Sequence, residues 1–331
     1  MVKNKFLWQI SQILLALLLT SCGATSEEER EHAILQANIF LNKSRCQEAI
    51  DVLEGAGRDN RHAQYLQVLA SAYACRAGFR EPAFFTTNIA KSATPAPLGG
   101  TSTYSTSASM DAPDNDDFDD LQVAIDILLY AGGIPTSKDP TPARRADSFN
   151  TDEAGNINAQ LLYMLMAQIG KYFYYYGNAD VNGVKGLGTG SNVCFVSYEN
   201  VALDVGGDLS TVLLAAAGTC PNSSAAGHSK LGSVAGGDLQ IARLCQGVVL
   251  INNFLTIFPV VLSDVGGDTD LDILNTINTA ISPLKIVLTA AKTGIGNILE
   301  TLGQERCVAE NTTNDDFLQV YFALFIELLI L

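Results

Sequence analysis

Two stretches decide the fold of this chain: ANIFLNKSRCQEAIDVLEGA, residues 37–56, and YLQVLASAYACRAGF, residues 65–79. Their apolar residues recur at intervals of three or four, the spacing that places side chains on one face of an α-helix. Cys46 is expected to open one helix and Cys75 to close the next, with a turn near Asn60. Similar periodicity continues through the rest of the chain. The sequence therefore predicts an all-α fold, in which a repeat-like helical hairpin precedes a larger α-helical array.

Small and aromatic residues alternate in these stretches in a pattern that resembles tetratricopeptide repeats. Ala37 and Phe40 match the first helix of a repeat, and Ala49 matches the second helix. Ala70 and Tyr73 repeat the first-helix pattern 33 residues later. The Gly-aromatic turn of that family and the proline after its second helix are missing. The resemblance implies a helical surface that binds a protein partner or a peptide, and an ordinary helical hairpin is the alternative.

The first 21 residues have the zones of a secretory signal: a basic start, a short apolar stretch and small residues before a cleavage site. Leu19-Thr20-Ser21-Cys22 resembles the lipobox of bacterial lipoproteins. The resemblance implies cleavage before Cys22, with diacylglycerol on its thiol and a fatty acid such as palmitate on its amino group. Two or more acyl chains anchor a protein firmly in a membrane. Gly23 favours the outer membrane, facing the periplasm, and an ordinary cleaved signal is the alternative.

The charge of the mature chain limits its partners. Removal of Lys3 and Lys5 with the signal changes the net charge from −15 to −17. This excess of carboxylates argues against nucleic acid and anionic lipid headgroups, since both attract Lys and Arg. Cations and basic partners are compatible with it. Aromatic residues make up 8% of the chain, which argues against a disordered protein.

The cysteines predict disulfides. Six remain once Cys22 is set aside, and an even number in an exported protein favours pairing. Antiparallel helices place residues equidistant from their turn beside each other, which predicts a Cys46–Cys75 bond. Sequence order alone suggests Cys194–Cys220 and Cys245–Cys307. The cysteines and histidines lack the spacing of a zinc site, and we expect neither a metal nor a cofactor.

Changes in composition divide the chain further. An acidic tether, residues 22–32, precedes the hairpin, residues 33–92, and a segment rich in Ser, Thr, Pro and Asp, residues 93–117, predicts a mobile linker. The last region, residues 118–331, contains three Gly-Gly-Asp segments spaced 30 residues apart. Paired glycines can end one helix, and Asp can cap the next. Calcium is the alternative role of these three residues, Asp208, Asp238 and Asp268.

Three apolar segments of the last region are expected to form core helices. Residues 274–302 carry a heptad-like seam with a kink at Pro283. Residues 248–262 are apolar all round but are broken by two asparagines and a proline. Residues 317–331 contain Glu327 and are too short to span a membrane. We expect this last segment to dock as a closing helix, and contact with lipid or a partner is the alternative.

The sequence lacks the motifs of common catalytic sites, and none of its three histidines belongs to a metal or nucleophile motif. We therefore expect no catalytic residue. The run KYFYYY, residues 171–176, follows helical spacing, so some of its rings face the core and others can line a groove. The candidates for a ligand pocket are Tyr172, Tyr175 and Tyr176.

The segment NADVNG, residues 178–183, resembles the start of an EF-hand calcium loop. Asn178, Asp180 and Asn182 supply oxygens at alternating positions, followed by the turn glycine. Where that family has a bidentate Glu, this chain has Thr189, so the strongest ligand is missing. An Asn/Gly-rich turn is the favoured interpretation, and calcium is the weaker one.

Together these features predict a membrane-anchored envelope lipoprotein, a helical scaffold that holds a protein partner or a small ligand in the periplasm. It is similar in outline to periplasmic tetratricopeptide lipoproteins of solute-uptake systems, which combine such an anchor with helical repeats. Two alternatives stay open. A helical carrier for a small molecule or lipid predicts a large apolar cavity, and an envelope hydrolase using paired carboxylates predicts close Asp/Glu pairs in a cleft.

Overall fold

The computed structural model describes residues 26–88, 91, 98–190, 192–198, 201–204, 206, 207, 209, 220, 225–232, 239–265, 272–312 and 315–330. Cys22 with the lipobox, Asp208, and the Gly-Gly-Asp segments at 236–238 and 266–268 lie outside these residues. The chain is 64% helical, with essentially no strand among the described residues. The predicted all-α class is therefore confirmed.

The chain divides into two compact units at Arg58. The first unit contains helix α1 (Ser26–Leu41) and helix α2 (Cys46–Gly55), which pack against each other. Helix α1 begins inside the segment predicted as a tether, so most of that segment is helical. Ala37 and Leu53 are fully buried, as the helical periodicity predicts.

The second unit contains the remaining helices. The first of them are α3 (Ala63–Arg76), α4 (Glu81–Ala83, followed by a π-helical turn Phe84–Asn88), two 3₁₀ helices (Gly99–Thr103 and Ser107–Ser109), α5 (Asp116–Leu129), α6 (Pro142–Ala146) and α7 (Thr151–Tyr176). The later ones are α8 (Ile241–Val265), α9 (Asp272–Ala291), α10 (Gly296–Glu300), α11 (Gln304–Asn311) and α12 (Asp316–Tyr321), which continues through a π-helical turn (Phe322–Ile326) into α13 (Glu327–Leu329).

Helix α7, 26 residues long, lies at the centre of the second unit. It contacts α3, α5, α6, α8 and both 3₁₀ helices. A capping box fixes its start: Asn150 Oδ1 accepts from the Glu153 backbone N–H, and the Glu153 carboxylate accepts from the Asn150 N–H. Gln160 donates to a carbonyl of α3 and Gln168 to a carbonyl of α5. These amides hold α7 in register with its neighbours.

Arg145 of α6 is fully buried and joins three elements. Its guanidinium donates to the carbonyls of Pro140 (2.7 Å) and Leu129 (3.1 Å) and to Asn158 Oδ1 (2.8 Å). Leu129 ends α5, so Arg145 satisfies one of the carbonyls that a helix end leaves without an intrahelical donor. Burial lowers the pKa of Arg145 to about 10, and the side chain stays charged at neutral pH.

Part of the segment predicted as a mobile linker packs against α7. Tyr104 and Met110 are each only 2% exposed. The segment approaches α7 at Gly170, where a Cβ atom would lie 2.2 Å from the Thr101 carbonyl oxygen. Ser107 Oγ donates to the same carbonyl at 2.8 Å. The Ser and Thr hydroxyls of this segment bond to the nearby backbone. A segment with the composition of a linker therefore packs as part of the helical unit.

The first Gly-Gly pair does not end a helix, contrary to the expectation. Gly206 and Gly207 have positive φ angles of 89° and 84°, which other residues adopt at a cost. They turn the chain back on itself, so that the Leu203 N–H donates to the Gly207 carbonyl at 3.1 Å. The capping roles of the three Asp residues concern residues outside the described part of the chain.

The seam predicted over residues 274–302 is not one helix. Helix α9 ends at Ala291, Gly294 has a φ of 89°, and α10 starts at Gly296. Pro283 lies inside α9. The apolar positions on both sides of the break, Ile281, Leu288, Ala291, Ile295, Ile298 and Leu302, are all buried. The periodicity therefore identified the buried face but not the break, because glycine changes the chain direction while the spacing continues.

Helix α8 is apolar enough and long enough to cross a membrane by composition and length, the one such helix in the described part of the chain. In its most apolar window 72% of the residues are buried inside the protein, as expected of a core helix. Asn252 Nδ2 donates to the carbonyls of Ile298 and Thr301, and its Oδ1 accepts from the Tyr321 hydroxyl at 2.9 Å. The asparagine that interrupts the apolar run therefore binds α10 and α12.

Three disulfides form, and they use all six predicted cysteines. The pairs Cys194–Cys220 and Cys245–Cys307 are confirmed, with Cα–Cα distances of 4.8 and 5.7 Å. Cys46 and Cys75, for which the hairpin geometry predicts a bond, are both disulfide-bonded. Cys46 is the first residue of α2 and Cys75 lies in the last turn of α3, as predicted.

Candidate functional site

The aromatic run at the carboxyl end of α7 divides between core and surface. Tyr172 and Tyr176 are buried, with ring centroids 4.5 Å apart. The Tyr172 hydroxyl donates to the Arg243 carbonyl at 3.0 Å. Helix α8 comes so close at Gly247 that a Cβ there would lie 2.8 Å from the Tyr172 ring. Of the three tyrosines predicted to line a pocket, Tyr175 alone is half-buried and reaches a cleft.

The segment after α7 forms the turn that the sequence favoured over a calcium loop. Asn178 has a φ of 48°, and its Oδ1 accepts from the Gly190 N–H at 2.7 Å. Asp180 Oδ1 accepts from the N–H groups of Asn182 and Val184, both at 2.9 Å. These bonds, the one from Val184 above all, lower the pKa of Asp180. The oxygens that resemble calcium ligands thus serve to stabilise the turn.

A pairing between two loops brings His228 to the carboxyl end of α7. The His228 N–H donates to the Phe195 carbonyl at 2.9 Å, and the Gly227 N–H donates to Ser197 Oγ at 2.8 Å. A Cβ atom at Gly227 would lie 2.1 Å from the Ser197 nitrogen. Only glycine permits this approach, which holds the imidazole against the tyrosines of α7.

The His228 imidazole is neutral at physiological pH. Its centroid lies 4.8 Å from that of Tyr175 and 5.2 Å from that of Tyr176. Burial and, to a smaller degree, the charge of Lys230 lower the pKa of His228 to about 4. Nδ1 accepts from the Lys230 backbone N–H at 3.2 Å. The neutral ring therefore carries its proton on Nε2 and can donate it to a bound group.

These groups line a cleft of about 550 Å³ at the carboxyl end of α7. Its walls contain the half-buried rings of Tyr174 and Tyr175 beside His228. Asp111 and Asp180 also line it, and the described lining residues include no Lys or Arg. Burial and the Asp111 charge raise the pKa of Tyr175, so its hydroxyl stays protonated. The cleft suits a neutral or cationic ligand with an aromatic or apolar part.

A buried ion pair fixes the loop that follows the turn. Lys185 and Glu327 are 1% and 3% exposed, and Lys185 Nζ donates to Glu327 Oε2. Glu327 Oε1 accepts from the Phe195 N–H at 2.8 Å and from the Tyr198 hydroxyl at 2.7 Å. Burial and the Glu327 charge raise the pKa of Tyr198 well above its usual value, so this hydroxyl stays a donor. Both carboxylate oxygens are thus satisfied inside the core.

The sulfurs of Cys194 and Cys220 and a carboxylate oxygen of Glu327 lie within 4.8 Å of one another, close enough for a metal site. The two sulfurs are joined in a disulfide, however, and metals bind cysteine as the thiolate. The oxidised protein therefore cannot use them as metal ligands, and Glu327 already bonds to protein donors.

A smaller cleft of about 340 Å³ lies among α5, α8 and α11. Two carboxylates line it, Asp126 and Glu305, together with Tyr130. Asp126 Oδ1 accepts from Gln122 Nε2 at 3.0 Å. Desolvation raises the pKa of Asp126 to about 6, and the hydrogen bond from Gln122 opposes this rise. The cleft therefore contains two carboxylates, the feature that the hydrolase alternative predicts, and one of them, Asp126, accepts a hydrogen bond from an amide.

No protein-family model, curated protein or solved structure matches this chain. The resemblances to bacterial lipoproteins and to tetratricopeptide repeats therefore depend on their sequence patterns alone.

The sequence patterns pointed to Tyr175 but not to His228, Lys185 or Glu327. A lone carboxylate in the apolar C-terminal run was a usable signal, because a buried charge needs a partner. His228 had no such signal, since a loop pairing that follows no periodic pattern determines its position.

We expect the Lys185–Glu327 pair to behave as a buried ion pair in a double-mutant cycle. Lys185→Met leaves a buried carboxylate without its cation, and Glu327→Gln leaves a buried ammonium, so each should lower the free energy of unfolding by about 3–5 kcal/mol. The double variant should recover much of that loss, because Gln still accepts from Phe195 and Tyr198. Urea denaturation of the four proteins measures this coupling.

Glu310→Gln is the matched control, since Glu310 pairs with Arg306 at 2.8 Å on the surface, with 41% of its side chain exposed. Exposed pairs contribute about 0–1 kcal/mol. Equal, small effects of Lys185→Met, Glu327→Gln and Glu310→Gln would contradict the proposed burial of the pair.

We expect His228 to destabilise the protein in mild acid. Its pKa is about 4 in the folded protein, below the usual value of 6.5, so the unfolded chain binds the proton more readily. The contribution of the neutral His228 to the free energy of unfolding is complete above pH 6.5 and is lost as the pH falls towards 4. Thermal unfolding across this window should show a steeper loss for the wild type than for His228→Gln. An NMR titration of the imidazole with a midpoint near 6.5 would contradict this assignment.

Proposed function

We propose that this protein is an envelope lipoprotein, held at a membrane by lipid on Cys22, that binds a small aromatic ligand in the cleft beside α7. The observation that carries the proposal is the composition of the cleft: half-buried tyrosine rings and a neutral imidazole, together with two carboxylates and no described basic residue. Such a lining favours a neutral or cationic aromatic molecule over an anion.

The aromatic walls supply most of the affinity in this proposal. A ligand ring can stack on Tyr174 or Tyr175, and a ligand cation over such a face gains about 0.5–2 kcal/mol. Asp111 lies at the same cleft and favours a positive ligand group. His228 Nε2 can donate to a ligand carbonyl or hydroxyl, which would orient the molecule.

The membrane anchor in the proposal is supported by sequence. The apolar signal and the Leu19-Thr20-Ser21-Cys22 pattern are specific for lipid attachment. The three disulfides are compatible with an oxidising compartment outside the cytosol. The cleft beside α7 has a mixed aromatic and acidic lining, whereas the lipid-carrier alternative predicts a large apolar cavity.

A protein partner is the second candidate, and α1 supplies the observation in its favour. Leu35 and Ile39 are 62% and 47% exposed and lie four residues apart, so they share one face of α1. An exposed apolar face of a helix is a common docking surface for another helix. This surface would suit the helical-scaffold role that the tetratricopeptide resemblance implies.

We expect an aromatic amine to bind the cleft and the matching aromatic acid not to bind. Tryptamine and indole-3-acetate share a ring and differ in charge, so isothermal titration calorimetry with both tests the lining directly. Tyr175→Ala should weaken tryptamine binding at least tenfold, which corresponds to about 1.4 kcal/mol.

Tyr130→Ala is the matched control, because Tyr130 lines the smaller cleft. It should leave the affinity for tryptamine unchanged. Tighter binding of indole-3-acetate than of tryptamine would contradict the proposed site. An equal loss of tryptamine affinity in Tyr175→Ala and Tyr130→Ala would also contradict it.

We expect Cys22→Ala to release the protein from membranes into the soluble fraction. The physical reason is the loss of the thiol that carries diacylglycerol, without which acyl chains cannot hold the chain at the bilayer. Fractionation and intact mass spectrometry of the wild type measure the anchor. A native protein that begins at Met1, or one whose first residue carries no acyl mass, would contradict lipidation.

A further inference from the structure

The second unit buries two lysines, and they are treated differently. Lys185 has a carboxylate partner, Glu327, and lies 5.5 Å from the Phe195 ring centroid. Lys171 of α7 is fully buried, and among the described residues its ammonium has one hydrogen-bond partner, Ser109 Oγ. A buried ammonium without a carboxylate in contact is costly, so its position calls for a role other than stability.

The environment of Lys171 favours the neutral amine. Burial lowers the pKa of Lys171 to about 8, and the charge of Asp117 on α5 opposes this effect from a longer distance. The ammonium still predominates at neutral pH, but a larger fraction of the amine is unprotonated than for an exposed lysine. A neutral amine has a lone pair and can accept a proton, as a general base must.

The hydroxyl of Ser109 is held in place by two bonds. Its Oγ donates to the Thr106 carbonyl at 2.7 Å and accepts from the Lys171 ammonium. When Lys171 loses its proton, the second bond can reverse, and the hydroxyl then donates to Nζ. The supporting 3₁₀ segment is fixed to α7 at Gly170, next to Lys171 in the chain, so the two groups are preorganised.

Ser109 lies next to the cleft in the chain but is not among the residues that line it. Its side chain is part-exposed, and its neighbours Ala108 and Met110 both line the cleft. On the helix, Tyr174 and Tyr175 follow Lys171 by one turn and line the same cleft. A ligand of the cleft would have to reach the hydroxyl between Ala108 and Met110, with the amine behind it in the core.

We propose that Ser109 and Lys171 form a nucleophile and general-base pair that cleaves an acyl ester held in the cleft. The geometry meets the basic requirement for such a pair, a nucleophile within hydrogen-bond reach of a buried amine that can act as a base. This activity goes beyond ligand binding and does not use the carboxylates of either cleft.

The chemistry balances with water as the only co-reactant. The Ser109 Oγ–H proton moves to Lys171 Nζ while Oγ attacks the acyl carbon, and the carbon–oxygen bond to the leaving alcohol then breaks. The alcohol takes its proton from the Lys171 ammonium. Water repeats the sequence, giving its proton to Lys171 and its oxygen to the acyl carbon, which releases a carboxylic acid and restores Ser109.

A hydrogen-bond donor for the developing oxyanion is present in the same segment. Thr106 is 5% exposed, and its hydroxyl has no hydrogen-bond partner among the described residues. It precedes Ser109 by one turn of the 3₁₀ segment. Its donor capacity is unused, although the hydroxyl is closed off from water and Thr106 is not among the residues that line the cleft.

An alkyl fluorophosphonate tests the pair directly, because it phosphonylates activated serine hydroxyls and releases fluoride. We expect intact mass spectrometry of the full mature protein to show one added phosphonyl group, and peptide mapping to place it on Ser109. Ser109→Ala should abolish labelling. Ser105→Ala, an exposed serine in the same segment, should label like the wild type.

The rate of labelling reports the base. It should rise with pH with a midpoint near 8, following deprotonation of Lys171. Lys171→Gln should slow labelling at least 100-fold at pH 8, while circular dichroism checks its fold. If that variant does not fold, the pH profile of wild-type labelling tests whether Lys171 acts as the base.

Two results would overturn the proposal. One is absence of labelling in the folded wild type at pH 9, and the other is labelling that persists in Ser109→Ala. Either result leaves tryptamine binding by the cleft unaffected, so the ligand-binding function and the esterase activity fail or succeed separately. Hydrolysis of p-nitrophenyl acetate by the wild type, but not by Ser109→Ala, would extend the labelling result to turnover.

Discussion

The burial of Glu327 is the constraint on which the C-terminal part of the second unit depends. Moving a carboxylate out of water into an apolar helix costs several kcal/mol, at least about 3, unless charge and donors replace the lost hydration. Lys185, the Phe195 N–H and the Tyr198 hydroxyl provide them, and all three come from one stretch of chain. The stretch from Lys185 to Tyr198 is therefore held against the last helical turn, even if its own sequence has only a weak preference for that conformation.

The cleft follows from the same constraint. Phe195, which bonds to Glu327 through its N–H, offers its carbonyl to the N–H of His228. The imidazole then meets the rings of Tyr175 and Tyr176 at the end of α7. A charge buried in one helix thus determines, through a single loop, where the imidazole meets the tyrosines at the end of another.

The sequence predicted those parts of the fold that depend on local spacing. Helical periodicity located α2 and α3 with their terminal cysteines, and it identified α8 as a buried helix. It failed where a non-local contact decides. Residues 98–110 have the composition of a linker, yet Gly170 allows them to lie directly on α7. The seam over 274–302 continues across a break at Gly294, because spacing records the buried face and not the direction of the chain.

The candidate site was predicted to a smaller extent. The run of aromatic residues at 171–176 marked the correct helix end, but only the packing against Gly247 decides that Tyr172 turns inward and Tyr175 outward. No sequence pattern assigned a role to Lys171, the first residue of that run. Its significance depends on burial and on the hydroxyl opposite, and both come from a segment far away in the sequence.

The Cys245–Cys307 bond affects the stage at which the chain can fold stably. It closes a loop across 62 residues between α8 and α11, and in the chain-entropy view such a cross-link stabilises a fold by about 4 kcal/mol. Domains of this size are stable by only about 5–15 kcal/mol in total. In the export that we propose, a precursor in a reducing cytosol would lack this contribution and that of the other two bonds. Such a precursor would be less stably folded than the oxidised protein, a state suited to passage through a translocation channel, and would gain its full stability only after oxidation outside the cytosol.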